Sequence, residues 1–402
     1  MEKNFLQRLQ KIKINDILHI FLFILAIIPS LIYKITHKPF WLICDYKDEA
    51  RDNGYYFYKY MCENHKEKPV WYAINKKSPD YKKVKHLGKV VRYGSFFHWI
   101  LYLSASINIS SQKGGKPNAA ICYFLEVYEL LKNKRVFLQH GIIKDDLPYV
   151  YYKNAKFSLF TTSTKKEYEY VNKNFGYPSG VIRQLGLCRF DDLVNTSDNQ
   201  TILIMPTWRQ WISNSDYKTK DVEDFKSFKE TQYFKTWTSL LSSKELYVIL
   251  RKNNKKIIFY PHRNMQVFID DFKYLENDVI NIASFPTYDV HKLLKEAYLL
   301  ITDYSSVAMD FCYMNKPVIY YQFDHEKFRK HHMKKSYFSY INDGFGKVIK
   351  EEKELIKEIS NNINVFTLED RYQKRVNDFF DLRDNKNNER TYYAVKELER
   401  KK

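Results

Sequence analysis

Residues 299–311 read Leu-Leu-Ile-Thr-Asp-Tyr-Ser-Ser-Val-Ala-Met-Asp-Phe. A short apolar run ends at Asp303, and the residues after it have the composition of a helix. This change from strand to helix is typical of a β-α unit in a parallel sheet, where ligands bind in the loop after the strand. Ser305 and Ser306 lie in that loop, and their hydroxyls with the free N–H groups of a helix start can bind an anion.

The same alternation of strand and helix extends over most of the chain. Strands are predicted at 41–45, 70–74, 89–93, 106–110, 135–139, 157–162, 181–185, 201–206, 256–260, 279–283, 298–303 and 317–321. Helices are predicted between them, for example at 49–64, 119–132, 228–251 and 306–315. Because the strands are continuously apolar, they indicate parallel sheets covered on both faces. A polar break at 195–200 predicts two doubly wound α/β domains that face each other.

Length and composition agree with two folded domains and suggest an anionic partner. The chain has 402 residues, of which 45% are apolar, and it carries 66 Lys and Arg against 47 Asp and Glu, a net charge of +19. The absence of a repeating period excludes coiled coils and repeat proteins. The positive charge favours nucleic acid, an anionic membrane face or a phosphorylated substrate as partner.

The five cysteines are odd in number and widely spaced. None forms a C-x-x-C pair, and no histidine lies at zinc-finger spacing from them. They are predicted to be buried free thiols of a reducing compartment, so the active chain is expected in the cytoplasm.

Residues 17–33 form a charge-free apolar run with lysines on both sides, at Lys11, Lys13, Lys34 and Lys38. As a helix this run would be about 25 Å long, slightly short for a hydrocarbon core of about 30 Å. Three arrangements stay open: an anchor lying in or partly inserted into the membrane plane, a transmembrane span, and a buried core helix.

Two conspicuous residues follow a strand in the first half of the chain. The run Val-Phe-Leu-Gln-His-Gly places His140 and Gly141 directly after it. An imidazole titrates near neutrality and can take a proton from an attacking hydroxyl, and a glycine lets a substrate approach the backbone. A structural histidine would explain the same pattern.

Two strand ends in the second half carry cationic or hydroxyl side chains. Thr207 and Arg209 lie in Pro-Thr-Trp-Arg at 206–209, and His262 and Arg263 follow the next strand. An arginine there suits bidentate phosphate contact, whereas a salt bridge to a nearby carboxylate is the structural alternative.

Taken together, these motifs resemble the CDP-glycerol:glycerophosphotransferase family of teichoic-acid and capsule enzymes. The main matches are His-Gly at 140–141, Pro-Thr-Trp-Arg at 206–209, Pro-His at 261–262, Ile-Thr-Asp-Tyr-Ser-Ser-Val-x-x-Asp-Phe at 301–311 and Lys-Pro-Val-Ile-Tyr-Tyr-x-x-Asp at 316–324. Secondary matches lie at 48–54, 186–191 and 388–390. The resemblance covers about residues 41–400.

The resemblance implies a GT-B-like fold, in which two Rossmann-like domains face a central cleft that holds the active site. The domains expected are a membrane-associating segment at 1–40, an acceptor domain at 41–198, a CDP-donor domain at 199–375, and a C-terminal helix at 376–402 that packs back on the first domain. The implied reaction transfers glycerol phosphate from CDP-glycerol to a hydroxyl of a lipid-linked or growing glycopolymer and releases CMP.

The resemblance also implies roles for individual residues. His140 would be the general base, while His262 and Arg209 would stabilise charge on the donor diphosphate. The remaining donor-binding residues would be Thr207, Arg263, Asp303, Ser305 and Ser306, with Asp303 either shaping its loop or contacting the donor. Gly141 and Lys144 would lie on the acceptor side. The chain departs from the family pattern at Ile142-Ile143-Lys144, in place of the usual Pro and Lys after His-Gly, and at Arg263, where Pro-His-Pro becomes Pro-His-Arg.

No cofactor is firmly implied. The sequence has no D-x-D at a strand end and no cluster of metal ligands, so cationic side chains are expected to replace a metal, although a divalent ion stays open. The expected partners are a CDP-activated polyol, a lipid-linked glycan or polyol-phosphate acceptor and an anionic membrane, but not nucleic acid. The expected place is the cytoplasmic face of the cell membrane, as a peripheral or monotopic protein. The short N-terminal segment favours single or short addition.

Several alternatives remain open. CDP-ribitol could replace CDP-glycerol, and a GT-B glycosyltransferase could use a nucleotide-sugar. A nucleic-acid-binding protein would explain the charge, but the sequence has no RNP, helix-turn-helix or zinc-finger pattern. A membrane-bound scaffold would keep the fold without turnover.

Overall fold

The computed structural model describes residues 14–213, 227–332 and 336–401, which form two compact units. Unit 1 contains the described residues up to 142, together with 147–191 and those from 382 onward. Unit 2 contains residues 143–146 and 192–381. Each unit is built on its own parallel sheet, which confirms the prediction of an α/β fold with two parallel sheets.

Unit 1 is built on a seven-stranded parallel sheet with the spatial order β3-β2-β1-β4-β5-β6-β7. Its strands are β1 (Trp41–Ile43), β2 (Val70–Ile74), β3 (Lys89–Arg92), β4 (Ile107–Ser110), β5 (Lys134–Phe137), β6 (Leu159–Thr162) and β7 (Ile182–Gln184). In the centre of the sheet Trp41 of β1 lies opposite Val70 of β2 and Ile107 of β4. These residues are buried because helices cover both faces of a parallel sheet.

Four helices of unit 1 begin where a polar side chain caps the first turn. The side chains of Asp52, Ser95, Asn118 and Thr164 each accept a hydrogen bond from a backbone N–H at a helix start. The α-helices are α1 (Ile14–Thr36), α2 (Asn53–Asn64), α3 (Tyr81–Leu87), α4 (Phe96–Ser104), α5 (Ala119–Val127), α6 (Tyr152–Ala155), α7 (Lys165–Asn174) and, near the C-terminus, α15 (Asn387–Arg400). Short 3₁₀ helices occupy Pro148–Val150 and Cys188–Asp192.

Unit 2 is built on a six-stranded parallel sheet with the order β10-β9-β8-β11-β12-β13. Its strands are β8 (Thr201–Met205), β9 (Lys256–Phe259), β10 (Ile280–Ile282), β11 (Leu299–Thr302), β12 (Val318–Tyr321) and β13 (Gly346–Ile349). The sequence analysis missed β13. This edge strand pairs with β12 alone, and its two central residues are half-buried, so it needs no continuous apolar run.

The α-helices of unit 2 are α8 (Gln232–Leu241), α9 (Lys244–Lys252), α10 (Val290–Glu296), α11 (Val307–Tyr313), α12 (His325–His331), α13 (Glu352–Asn361) and α14 (Asp370–Phe379). Residues Phe228–Glu230 and Arg263–Leu275 are 3₁₀ helices. The prediction of one helix over 228–251 is wrong, because α8 ends at Leu241 and Ser243 caps a new helix by accepting from the Leu246 N–H.

Helix α1 lies against α4 of the same unit. The Trp99 Nε1–H of α4 donates to His19 Nδ1 at 3.0 Å, and the Trp99 ring lies 5.5 Å from that of Phe23. Most of the isoleucine and leucine side chains on the rest of α1 are exposed, as at Ile24 and Ile28. Within the described parts of the chain, α1 is the one helix long and apolar enough to cross a membrane, judged by length and composition alone. Lys11 and Lys13 lie outside the described residues.

The cysteines are free thiols, as the sequence analysis predicts. Cys62 is half-buried, and the other four are buried: Cys44, Cys122, Cys188 and Cys312.

Candidate active site

The two sheets each change the direction of their strand order at one point. In unit 1 this switch lies between β1 and β4, and in unit 2 it lies between β8 and β11. Parallel sheets bind ligands at the carboxyl ends of the strands beside such a switch. The Pro-Thr-Trp-Arg motif follows β8 and the Asp-Tyr-Ser-Ser motif follows β11, so the structure brings these two motifs to the switch of unit 2.

His140 lies on the loop after β5 in unit 1, and its side chain is 57% exposed. The residue before it, Gln139, is buried and has a left-handed backbone with φ of 59°. Its side-chain amide donates to the Thr161 carbonyl and, at 3.1 Å, to Glu167 Oε1. The turn is therefore fixed by buried hydrogen bonds, whereas the imidazole itself is open to solvent. Gly141 continues this turn and is partly exposed.

A carboxylate that the sequence analysis did not assign to the site lies beside His140. Asp52 Oδ2 is 3.6 Å from His140 Nδ1. The same carboxylate accepts hydrogen bonds from Gln112 Nε2 at 2.7 Å and from an Arg189 NH1 at 3.2 Å. Asp52 and Arg189 belong to the segments 48–54 and 186–191, which match the family motif but carried no role. The sequence did hold one signal for Asp52, because it is a polar residue directly before a helix that follows a strand.

A second carboxylate, Asp45, lies at the end of β1 and is buried. Its Oδ1 accepts from the backbone N–H and the hydroxyl of Ser111, at 2.9 and 2.6 Å, and so connects the ends of β1 and β4. Burial and the neighbouring charge of Asp52 raise the pKa of Asp45 to about 6. Gly54 allows this packing, because a Cβ on it would lie 2.3 Å from Asp45 Oδ1.

In unit 2 the guanidinium of Arg209 is fully buried between two carboxylates. Its Nε donates to Asp324 Oδ2 at 2.6 Å, and one NH2 donates to Asp303 Oδ2 at 2.8 Å and to Asp324 Oδ1 at 3.0 Å. Burial alone would lower the pKa of Arg209, but the charges of Asp303 and Asp324 raise it. The Arg209 side chain has no exposed surface that could meet the donor diphosphate directly. Its guanidinium makes the salt bridges that were the structural alternative.

Asp303 connects the loops that follow β8 and β11. Its Oδ1 accepts from the backbone N–H of Thr207 at 2.8 Å and from that of Tyr304 at 2.6 Å. The side chain has no exposed surface. Of the two roles that the resemblance implied, the geometry supports shaping the loop and leaves no surface for the donor.

Hydroxyl groups remain available around this buried cluster. Thr207 Oγ1 is buried and has no hydrogen-bond partner among the described residues. Ser305 and Ser306 are half-buried at the start of α11, where Ser305 Oγ accepts weakly from the Val307 N–H at 3.4 Å. The Ser306 side chain makes no cap hydrogen bond within the described part of the chain. These hydroxyls can donate to an anion.

Two histidines flank the indole of Trp208. The His262 ring lies 6.2 Å from the Trp208 ring, and its Nδ1 accepts from the Asn264 N–H at 3.2 Å. His332, which the sequence analysis missed, lies 4.4 Å from the same indole. Its Nδ1 accepts from the Gln210 N–H at 2.9 Å, and burial lowers its pKa to about 3. In the neutral form both imidazoles therefore carry their proton on Nε2.

The other predicted cations are packed against protein groups. Lys144 belongs to unit 2, is buried, and its ammonium contacts Asp145, which also pairs with Arg329 at 2.6 Å. Because the Lys144 ammonium is paired inside the protein, the structure gives no support to the prediction that Lys144 lies on the acceptor side. The Arg263 guanidinium lies 5.1 Å from the ring of Phe285. The described residues contain no group of three His, Cys, Asp or Glu side chains that could hold a metal ion.

The sequence model of the family described as CDP-Glycerol:Poly(glycerophosphate) glycerophosphotransferase matches residues 26–397. The chain belongs to this family. The match includes the loops after β5, β8, β9 and β11, and thus all the site residues described above, from Asp45 to His332.

Two curated relatives of this glycerophosphotransferase family member come from Bacillus subtilis (strain 168). Minor teichoic acid biosynthesis protein GgaB is 35% identical over 391 residues, covering 94% of this chain and 43% of that protein. Teichoic acid glycerol-phosphate primase is 25% identical over 235 residues, covering 55% of this chain and 54% of that protein. The chain thus spans about half the length of these relatives.

Among solved structures, the Wall Teichoic Acid Polymerase TagF is similar in fold. It has 16% sequence identity and a TM-score of 0.64, covering 96% of this chain and 98% of that chain. A histidine variant of the polymerase soaked with CDPG has a TM-score of 0.66 at 18% identity, covering 98% of each chain. At these identities the likeness establishes a shared fold for this glycerophosphotransferase family member.

Proposed function

We propose that this chain transfers glycerol phosphate from CDP-glycerol to a hydroxyl of a lipid-linked or growing glycopolymer, releasing CMP, in teichoic-acid or capsule synthesis. The observation that carries the proposal is the open imidazole of His140, held beside Asp52 at a strand end in a chain that matches the family over residues 26–397. The relatives named for teichoic-acid biosynthesis, and the CDPG-soaked structure of similar fold, support the donor and the process.

In the proposed reaction, unit 1 supplies the base. His140 takes the proton of the acceptor hydroxyl, so the O–H bond breaks as an N–H bond forms. The freed oxygen attacks the phosphorus that carries glycerol, and the bond from that phosphorus to the bridging oxygen of CMP breaks. CMP leaves with the electron pair, and the acceptor gains a glycerol phosphate unit.

Unit 2 would supply the groups that stabilise the donor phosphates. The hydroxyls of Ser305, Ser306 and Thr207 and the Nε2–H of His262 are the proposed donors to the diphosphate, with Arg263 as the cation. Arg209 and Asp303 would act indirectly, because they hold the loops that present these donors. Fixed donors of this kind stabilise charge as it shifts towards the leaving CMP.

The decisive experiment measures CMP release from two donors. The purified full chain is incubated with CDP-glycerol or CDP-ribitol and a lipid-linked acceptor, and CMP and product length are determined. We expect CMP release with CDP-glycerol, at a rate at least about 100-fold lower for the His140→Asn variant. CMP with CDP-ribitol alone would move the function to ribitol-phosphate transfer. No CMP with either donor would refute the proposed activity.

We also propose that the protein lies at the cytoplasmic face of the cell membrane, with α1 in the membrane plane. One side of α1 packs on α4, where His19 accepts from Trp99, and Asp16 accepts at 2.7 Å from Nδ2 of Asn118, the residue that caps α5. The remaining isoleucine and leucine side chains are exposed, as at Ile28 with 69%. Helix α1 thus has one side packed on protein and an apolar side that is exposed, which is the arrangement expected of a helix lying in the membrane interface.

Vesicle sedimentation tests this membrane placement. The double variant Ile24→Glu and Ile28→Glu should lose binding to anionic vesicles, because two charges enter the apolar side of α1. The control is Val248→Glu, since Val248 is 64% exposed but lies on α9 of unit 2. Extraction of the wild-type protein from membranes by alkaline carbonate is expected for an in-plane helix. Resistance to extraction would favour a span.

A further inference from the structure

We propose that Asp52 is the positioning residue of His140: its carboxylate orients the imidazole and stabilises its protonated form. This inference rests on the proposed function, because it assigns the group that supports the proposed base. It also gives a role to two segments, 48–54 and 186–191, which carry no catalytic histidine themselves.

The Asp52 carboxylate is held from several sides. Its Oδ1 accepts from the Asn53 N–H at 2.8 Å and from an Arg189 NH1 at 3.2 Å. Its Oδ2 accepts from Gln112 Nε2 at 2.7 Å and faces His140 Nδ1 at 3.6 Å. These donors come from α2, the loop after β4 and the 3₁₀ helix at Cys188–Asp192, so the carboxylate has little freedom to turn away from the imidazole.

The neighbouring residue, Asn53, holds the backbone that carries His140. Its Nδ2 donates to the Gln139 carbonyl at 2.8 Å, and its Oδ1 accepts from the Arg189 N–H at 3.0 Å. Asn53 is fully buried. Asp52 and His140 are therefore fixed relative to each other by a buried amide as well as by their own contact.

This arrangement suits a carboxylate that stays charged. Burial would raise the pKa of Asp52, but the interaction with His140 and the charge of Arg189 outweigh it and lower that pKa. A carboxylate that faces Nδ1 favours the tautomer with the proton on Nδ1, so Nε2 is left to take the proton of the acceptor hydroxyl. Asp52 itself gains no proton; it stabilises the imidazolium until that proton is passed on.

A structural role is the alternative, because Asp52 also caps α2. The variant Asp52→Asn separates the two roles, since asparagine is as good a helix cap as aspartate but lacks the charge. We expect kcat to fall at least about 10-fold, the lower end of the loss found when carboxylate partners of metal-binding histidines are removed. The KM for CDP-glycerol should change less than kcat, because Asp52 is not proposed to touch the donor.

The pH dependence gives a readout that a structural role would not move. Asp52→Asn removes the negative charge that faces Nδ1, so the pH profile of kcat should differ from that of the wild type. The other charged groups around this site are Arg189, Asp45 and Glu167, and Asp52→Asn leaves all three in place. Histidine-selective ¹⁵N NMR of the full chain, with the His140 signal assigned by His140→Asn, reports the tautomer directly.

The matched control is Asp289→Asn. Asp289 caps α10 in unit 2 by accepting from the N–H groups of His291 and Lys292, at 2.9 and 3.2 Å. The same substitution is thus made at a helix cap remote from His140 in sequence. It should leave kcat, the pH profile and the His140 signal unchanged.

The outcomes separate this inference from the proposed function. If the wild type releases no CMP from either donor, the proposed function fails. If the wild type and His140→Asn turn over equally well, the transferase activity stands, but His140 is not the base and the positioning role of Asp52 is overturned. If His140→Asn loses turnover while Asp52→Asn keeps the wild-type kcat, pH profile and tautomer, the positioning role is overturned. If Asp52→Asn does not fold, Gln112→Ala can replace it, because it removes one donor that holds Asp52 Oδ2. The pH profile of kcat in that variant is expected to be shifted. An unshifted profile there would also overturn the proposal.

Discussion

The loop after β5 in unit 1 and the loops after β8 and β11 in unit 2 occupy the same kind of position in two parallel sheets, yet their charged residues differ in exposure. The His140 side chain is 57% exposed, whereas Arg209 and Asp303 have no exposed side-chain surface. All three residues stand out equally in the sequence. The difference teaches that a charged residue at a strand end can either meet a ligand or hold the loop that does.

The pairing of charges inside the protein explains why the side chains at the two sites differ in exposure. Arg209 lies between Asp303 and Asp324, so its charge is matched inside the protein and needs no ligand. A buried ion pair is stable only while both partners are present, since a lone buried charge is costly. The His140 ring faces the Asp52 carboxylate on one side, and 57% of its side chain is exposed to solvent. The following predictions test this contrast.

The largest effect is expected at the open site. His140→Asn should lower kcat by about 10²- to 10⁴-fold, the contribution of a general base. Its free energy of unfolding should change by less than about 0.5 kcal/mol, because the side chain is mostly in solvent. Steady-state CMP release and urea unfolding measure the two quantities. A large loss of stability with normal turnover would reverse the contrast between the sites.

At the closed site the effect should fall on stability. Arg209→Met leaves Asp303 and Asp324 buried without a cation, and should lower the free energy of unfolding by about 3–5 kcal/mol. Urea unfolding measures this loss. The control Arg251→Met removes an arginine whose pair with Asp278 is exposed on both sides, and should not change stability measurably. Equal stability of Arg209→Met and the wild type would contradict a structural role for this cluster.

A smaller loss is expected at the lysine of the 316–324 motif. Lys316 is buried, and its ammonium donates to the carbonyls of Lys295 at 3.0 Å and Ala297 at 2.6 Å. Lys316→Met leaves carbonyls at the end of α10 without this partner, which should cost about 1–3 kcal/mol of unfolding free energy. Thermal unfolding measures the change, and kcat of the folded variant should stay at the wild-type value. Reduced turnover at full stability would place Lys316 in the reaction instead.

The smallest effect is expected at Thr207. Thr207→Val removes a buried hydroxyl that has no partner among the described residues, so stability should not fall. If this hydroxyl donates to the diphosphate, the KM for CDP-glycerol should rise about 5-fold, equivalent to about 1 kcal/mol. The control Thr238→Val removes another buried hydroxyl without a described partner, on α8. An unchanged KM in both variants would remove Thr207 from the donor site.

Sequence reasoning found every strand of the two sheets except β13, because most of the others carry an apolar run that the sheet buries. It found His140 and the motifs after β8 and β11, because those residues follow such runs directly. It could not rank Arg209 against His140, since exposure depends on Asp303 and Asp324, which are distant in sequence. Asp52 and His332 were missed for the same reason, because the partner of Asp52, His140, and the partner of His332, Trp208, lie on other loops.

The sequence by itself determined the order of strands and helices, the placement of polar motifs at strand ends and the family, because local apolar patterns and short motifs carry that information. The tertiary structure decided the order of the strands within each sheet. It also decided which charged groups are matched inside the protein and which stay open. Burial and pairing are set by contacts between distant segments, such as Asp52 with Arg189 and Arg209 with Asp324, and no local pattern encodes them.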